Sequence, residues 1–288
     1  MSASLIECVP NFSEGRDLAV LDAIAGAIAS IPGAAILDRT SDHDHHRSVI
    51  TFAADPESVV EAAVRAAAEA VMRIDLTTHT GVHPRLGALD VLPFVPLSGA
   101  TLADCVELAH RAGERIWNEL RVPVFFYEAA ARRPELCRLE EVRRGKHAPD
   151  LGGPALHPTA GAAIVGARKI LIAYNINLNT TDLRVAKDIA RAIRTSSGGL
   201  PCVKALGLPL ASRGLVQVSM NLTDFEQTSI HTVFELVTRL AAAHGVEVAE
   251  SELIGLVPRK ALEAAFAHFL KLPLFDSSNV IENRLRMM

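Results

Sequence analysis

The chain has 288 residues, 49% of them hydrophobic and 22% charged, with a formal net charge of −4. That length holds one large domain or two of ordinary size around a substantial core. The acidic excess argues against nucleic acid as a partner, since phosphate binding needs clustered Lys and Arg, and no apolar run reaches the roughly 20 residues of a membrane-spanning helix. The N-terminus has no signal-type segment. Cys8, Cys105, Cys137 and Cys202 are far apart with no C-x-x-C pair, which fits reduced thiols in a soluble cytoplasmic protein.

Leu5 to Val9 reads as a strand, followed by a helix with Ser13 as the expected N-cap and Leu18, Leu21, Ile24, Ala25 and Ile28 on one face. Pro32-Gly33 ends it. Ala35 to Asp38 and Ser48 to Ala53 read as strands joined by the polar turn SDHDHHR. Pro56 opens a helix to about Arg73, at a position where its missing N–H costs little. A strand from Ala88 to Val95 follows.

Next come a helix near Leu102 to Leu120, a strand Pro123 to Tyr127, and a glycine-rich loop from Gly145 to Gly161. The first order then repeats. Lys169 to Leu178 reads as a strand and Thr181 to Arg194 as a helix. Strands Val203 to Ala211 and Leu215 to Leu222 meet at the Ser212-Arg213-Gly214 turn. Ser229 to His244 is a helix and Val246 to Val257 a last strand. Both halves spell βαββαβ, the ferredoxin-like order, so the expected fold is α+β: two such subdomains, 1–166 and 167–288, with facing sheets. In the second half Asn175, Asn177 and Asn179 alternate with Tyr174, Ile176 and Leu178. On the neighbouring strand Gln217, Ser219 and Asn221 alternate with Val216, Val218 and Met220. This uncharged amide face reads equally as a solvated sheet or a lined cleft.

The stretch His79 to Pro96, HTGVHPRLGALDVLPFVP, sets a loop broken by Gly and Pro against an apolar strand. His83 stands there between Gly81-Val82 and Pro84, and an imidazole suits proton transfer near neutral pH. Other motifs carry less. His79 and His83 have the spacing of a zinc-protease helix, but Thr80 replaces the needed Glu and Pro84 breaks a helix. The Asp42-His43-Asp44-His45-His46 run reads as a polar hairpin connection, because adjacent turn residues cannot all converge on one ion. There is no phosphate-cradling glycine motif. The basic run Arg143-Arg144-Gly145-Lys146-His147 reads as a solvated loop or as an attractor of an anionic substrate tail.

The blocks ECVPNFSEGRD, HTGVHPRLGALDVLPFVP, VGARKILIAYNINLNT, QVSMNLTDF and SELIGLVP, in that order and spanning almost the whole chain, resemble those of the glutamate formiminotransferases of histidine breakdown. The resemblance implies two ferredoxin-like subdomains with folate in a tunnel between them. It implies transfer of a formimino group between N-formimino-L-glutamate and tetrahydrofolate, which is a co-substrate, with no metal. The family's catalytic histidine falls on His83. Its folate-contacting loop falls on Gly152, Gly153, Pro154, Ala155, Leu156, His157, Pro158, Thr159, Ala160 and Gly161. The glycines, Gly161 among them, are expected to let a flat ring approach the chain.

No cyclodeaminase region follows here, so the implied product passes to a separate protein. The loop before Gly152 is shorter than in animal members, and the chain ends soon after a helix from Arg259 to Leu270. A homodimer is allowed. Arg85 and Arg47 are candidates for substrate carboxylates, against the plainer reading of surface or fold-supporting arginines. Two alternatives stay open: a formyl donor or 5-formyltetrahydrofolate-processing activity on the same fold, and a non-catalytic folate-binding or partner-binding protein. The loop histidine argues against the last, because a pure binder needs no proton shuttle.

Overall fold

The computed structural model describes residues 4–43, 45–80 and 84–285. The chain divides into two compact units, one ending at Lys169 and one beginning at Ile170.

The first unit opens on a strand in two pieces, β1 (Leu5–Cys8) and β2 (Asn11–Phe12). Pro10 between them has no N–H for the ladder, and its carbonyl accepts from Ile50 N at 3.1 Å. Helix α1 (Leu18–Ala29) is capped by Asp17, whose side chain accepts from Ala19 N and Val20 N, and not by Ser13. The Ser13 hydroxyl is buried and donates to Gly87 O at 2.7 Å, so it cannot cap. Strands β3 (Ala35–Asp42) and β4 (Arg47–Ala54) form a hairpin longer than expected, because pairing continues from Asp38↔Thr51 out to Asp42↔Arg47. Helix α2 (Pro56–Arg73) starts where Asp55 accepts from Glu57 N and Ser58 N, with Pro56 in the first turn. Strand β5 (Leu89–Ser98) completes the βαββαβ order.

Across the sheet these strands lie β3, β4, the β1–β2 strand, β5, all antiparallel, which is the ferredoxin-like arrangement. The sheet then grows beyond β5. Helix α3 (Leu102–Leu120), held at its start by a Thr101–Asp104 capping box, leads to β6 (Val124–Glu128). Strand β7 (Ala163–Ala167) inserts parallel between β5 and β6, making seven strands when β1 and β2 are counted separately.

The helices cover one face, where Ile24, Ile28, Val60, Ala63, Ala109 and Ile116 meet Ile6, Phe12, Ile50, Phe52, Phe94 and Phe126. Each large side chain fully buried there contributes roughly 1.5–3 kcal/mol. On the other face, Leu136 and Val142, from the turn Pro134–Leu136 and the short helix α4 (Leu139–Arg143), cover Val91, Phe125, Tyr127 and Ile164.

The second unit has strands in the order β11 (Val248–Ile254), β8 (Ile172–Leu178), β10 (Leu215–Leu222), β9 (Val203–Leu210), again ferredoxin-like. Helices α5 (Leu183–Ile193) and α6 (Ile230–Ala243) pack Val185, Ile189, Ile193, Val233 and Val237 on Tyr174, Ile176, Leu178, Val216, Val218 and Met220. Helix α7 (Arg259–Phe269) and the short α8 (Ile281–Leu285) follow. The strand expected from Lys169 to Leu178 begins only at Ile172, and β7, which ends before it at Ala167, is a strand the sequence reading does not contain.

The amide face is opposite the helices but is not free of charge. Asn177 accepts from Gln217 at 2.9 Å and donates to Glu250 at 2.9 Å, while Asn175 donates to Glu252 at 3.2 Å. The glutamates come from β11, whose place beside β8 is a tertiary fact. No described helix is long and apolar enough to cross a membrane.

Candidate active site

His83 lies outside the described residues, with Gly81 and Val82. The structure defines both ends of its loop. Upstream, Leu76 N donates to Thr159 O at 2.8 Å. Downstream, Ala162 N donates to Leu86 O at 3.0 Å and Ala88 N to Ala160 O at 2.9 Å, with Gly87 bridged to Gly161. The stretch matched to a folate loop and the stretch that carries His83 are thus fastened backbone to backbone. Ser13 completes the brace from the β2 side, with Ser13 N on Ala88 O and Ser13 Oγ on Gly87 O.

The ten residues 152–161 divide into two kinds. Gly153, Pro154, Ala155 and Leu156 are exposed, whereas Ala160 and Gly161 are buried. His157 folds the end of the loop on itself: it exchanges two backbone hydrogen bonds with Gly161, and its Nδ1 accepts from Ala160 N at 3.0 Å. Gly152 has φ +102° and lies against the Trp117 ring, so its missing side chain serves packing. Gly161 has φ +69° and a β-carbon there would meet the Leu86 backbone, so its missing side chain also serves packing. Gly153, with φ +77° and nothing within 4 Å of the point where a β-carbon would stand, is the glycine a ligand can approach.

The β3–β4 turn leans over the same loop. His46, held at φ 49°, packs against His79 with ring centroids 4.0 Å apart and the ring planes tilted by 34°. Its Nδ1 accepts from Gly15 N at 3.1 Å and lies 3.3 Å from Glu14 Oε1. Arg85 Nη1 is 2.6 Å from His79 Nδ1, and its two terminal nitrogens donate to the carbonyls of His46 and His45 at 3.3 and 3.1 Å. Arg16 Nε donates to His43 O at 2.9 Å and its Nη1 to Thr80 at 3.4 Å. Burial, then the Arg85 charge and His46, hold His79 below the ordinary imidazole value. Burial lowers His46 too, with Arg16, Arg85 and His43 acting in the same sense and outweighing Glu14.

Below this layer sits Asp90, wholly buried on β5. Its Oδ1 accepts from Leu86 N at 2.8 Å, and its Oδ2 accepts from both Arg47 and Arg143 at 2.5 Å. Burial opposes its ionisation, but the two guanidinium groups prevail and hold the carboxyl below its usual range. Arg47 also donates to Asn11 at 2.7 Å, so this substrate-carboxylate candidate is taken up inside the protein. Arg85 likewise braces the turn. Of the basic run, Arg144 pairs with Glu141 on the surface and only Arg143 turns inward.

Three of these residues have no signal in the sequence that sets them apart: His46 is one imidazole among three in a polar turn, Asp90 a lone acid in an apolar strand, Arg143 one of two adjacent arginines. Among the described residues no group of three or more His, Cys, Asp or Glu is placed to hold a metal ion.

Residues 5–168 match the family description "Formiminotransferase domain, N-terminal subdomain", and residues 173–284 match "Formiminotransferase domain". A glutamate formimidoyltransferase of Streptococcus pyogenes serotype M1 is 44% identical over 98% of this chain and 99% of its own length. One from Thermoplasma acidophilum is 45% identical over 98% of this chain and 97% of its own. The formimidoyltransferase-cyclodeaminase of Sus scrofa is 43% identical over 99% of this chain, which corresponds to 56% of that protein.

Proposed function

Since the chain belongs to the formiminotransferase family, we propose that it transfers the formimino group of N-formimino-L-glutamate to tetrahydrofolate, a step of histidine degradation, giving glutamate and 5-formiminotetrahydrofolate. The folate amine attacks the amidine carbon, and a C–N bond forms as the attacking nitrogen loses its proton. The tetrahedral intermediate collapses when the glutamate nitrogen takes up a proton and its bond to that carbon breaks. One imidazole serves both transfers, and His83 is the group that matches the family's catalytic position. No covalent enzyme intermediate is needed. Holding two small molecules in reacting contact supplies much of the remaining acceleration.

The observation that supports this reading most is the ladder joining residues 157–162 to 76–88, because it ties the loop matched to folate to the histidine loop. The surrounding cations add to it. Arg16, Arg47, Arg85 and Arg143 outnumber Glu14 and Asp90, and both substrates carry carboxylates that a positive site attracts. Within the folate loop, the exposed half from Gly153 to Leu156 is the part we assign to the pterin or aminobenzoyl ring, and the buried half to support.

The test is turnover of purified protein with formiminoglutamate and tetrahydrofolate, followed by the appearance of free glutamate and the formimino-folate chromophore, with formylglutamate as the competing donor. Turnover with the formyl donor alone would replace this reading.

A further inference from the structure

One carboxylate oxygen, Asp90 Oδ2, is shared by two guanidinium groups, each 2.5 Å away. A single negative charge therefore faces two positive ones, and the other oxygen is occupied by Leu86 N. Arg47 has both terminal nitrogens engaged, Nη1 on Asp90 and Nη2 on Asn11. Arg143 is not. Among the described residues only its Nη2 is engaged, and its Nε–H is buried without an acceptor. Buried donors in native proteins nearly always have partners, so this one calls for an explanation. The side chain remains 19% exposed, which leaves the guanidinium within reach of a small molecule.

Charge and vacant donor ask for the same thing, an oxyanion. A carboxylate matches the planar guanidinium fork and neutralises it, as a water molecule or a neutral ligand cannot. The local chain is built for this delivery. Arg143 ends α4, a five-residue helix whose Leu139 and Val142 pack on the open face of the sheet beside Leu86 and Val91. Leu86, tied to the same Asp90, is three residues beyond His83 in the chain.

We propose that Arg143 receives a carboxylate of the amino-acid donor, which makes it a specificity-determining residue for glutamate-derived substrates. The proposal rests on the reading of the chain as a formimino transferase acting on such a donor.

Arg143→Met tests it, because Asp90 keeps Arg47 as counter-ion and the fold keeps its buried pair. The KM for formiminoglutamate should rise tenfold or more, with kcat and the KM for tetrahydrofolate within about threefold of the parent. Arg143→Lys should recover part of the loss and guards against misfolding of the first variant. Calorimetric titration with L-glutamate, the amino-acid product, gives a readout independent of turnover. At least one of its two monoamides, L-glutamine or isoglutamine, should bind the parent at least tenfold more weakly than glutamate, and that handicap should vanish in Arg143→Met.

An unchanged donor KM, a loss confined to kcat or to tetrahydrofolate, a handicap that survives the substitution, or no glutamate binding by the parent would each overturn the proposal. Arg143-dependent discrimination of glutamate from an amide in a protein that turns over no formiminoglutamate would uphold the carboxylate site and reject the donor.

Discussion

Gly161 passes so close to Leu86 that a β-carbon added to it would stand 2.0 Å from the Leu86 carbonyl oxygen. That oxygen already accepts from Ala162 N, so it cannot retreat without breaking the ladder that fixes the loop. Gly161→Ala is therefore a stability variant, expected to cost more than about 2 kcal/mol through strain at positive φ and the clash. Gly153→Asn is the binding variant. Asn tolerates the left-handed backbone and meets open space there, so the melting temperature should hold while the folate Kd rises severalfold. Thermal unfolding and fluorescence titration of the two variants separate the roles; unchanged folate binding in Gly153→Asn would move the ligand elsewhere.

His83→Ala should leave the protein folded and able to bind folate while kcat falls roughly 100-fold or more, the usual scale for a positioned proton-transfer group. His79→Ala should cost less in kcat, yet more than a surface substitution, since His79 is the partner of Arg85 and its ring packs against His46. Single-turnover rates for both variants check the order, and equal mild effects would remove His83 from the chemistry.

Asp90→Asn removes the one anion between Arg47 and Arg143 and leaves both without their counter-ion. Breaking a buried pair in this way costs about 3–5 kcal/mol. Urea unfolding should show that loss; a change below about 1 kcal/mol would mean that the arginines had found solvent.

Acid should loosen the site before it unfolds the protein. His46 and His79 are held below the ordinary imidazole value, so the unfolded chain takes up protons more readily than the folded one. Their contribution is fully present above pH 6.5 and is lost as pH falls through 6.5 toward their folded values. Stability measured down that range should decline, and His46→Asn with His79→Asn should flatten the slope. An unchanged slope would locate the acid sensitivity in other groups.

Much of the frame is legible in the sequence because local rules decide it. Pro56 announces α2, and alternation along Tyr174–Leu178 and Val216–Leu222 identifies the helix-facing side of the second sheet. Sequence and structure part where a distant partner decides. Ser13 is as good a cap type as Asp17, and only the position of Gly87, 74 residues away, draws its hydroxyl off. Strand β7 escapes the sequence reading because it is buried on both faces and shows no alternation, and the strand expected from Lys169 starts only at Ile172. The site is legible as a stretch of chain but not as a set of contacts. Nothing in HDHHR singles out His46, and nothing in ALDVLP says that its acid binds two arginines.

The brace around the histidine loop also has a kinetic meaning. It joins residues 13, 76–88 and 157–162, and its hydrogen bonds close loops of the length of Ser13 to Gly87. Contacts so remote in sequence form only after the entropy of loop closure has been overcome, late in folding. The first unit should thus collapse and acquire its helices before it can do chemistry, and activity should lag behind far-ultraviolet dichroism during refolding. In hydrogen exchange the amides of Leu76, Ala88 and Ala162 should open together as one cooperative group, since each closes the same seam.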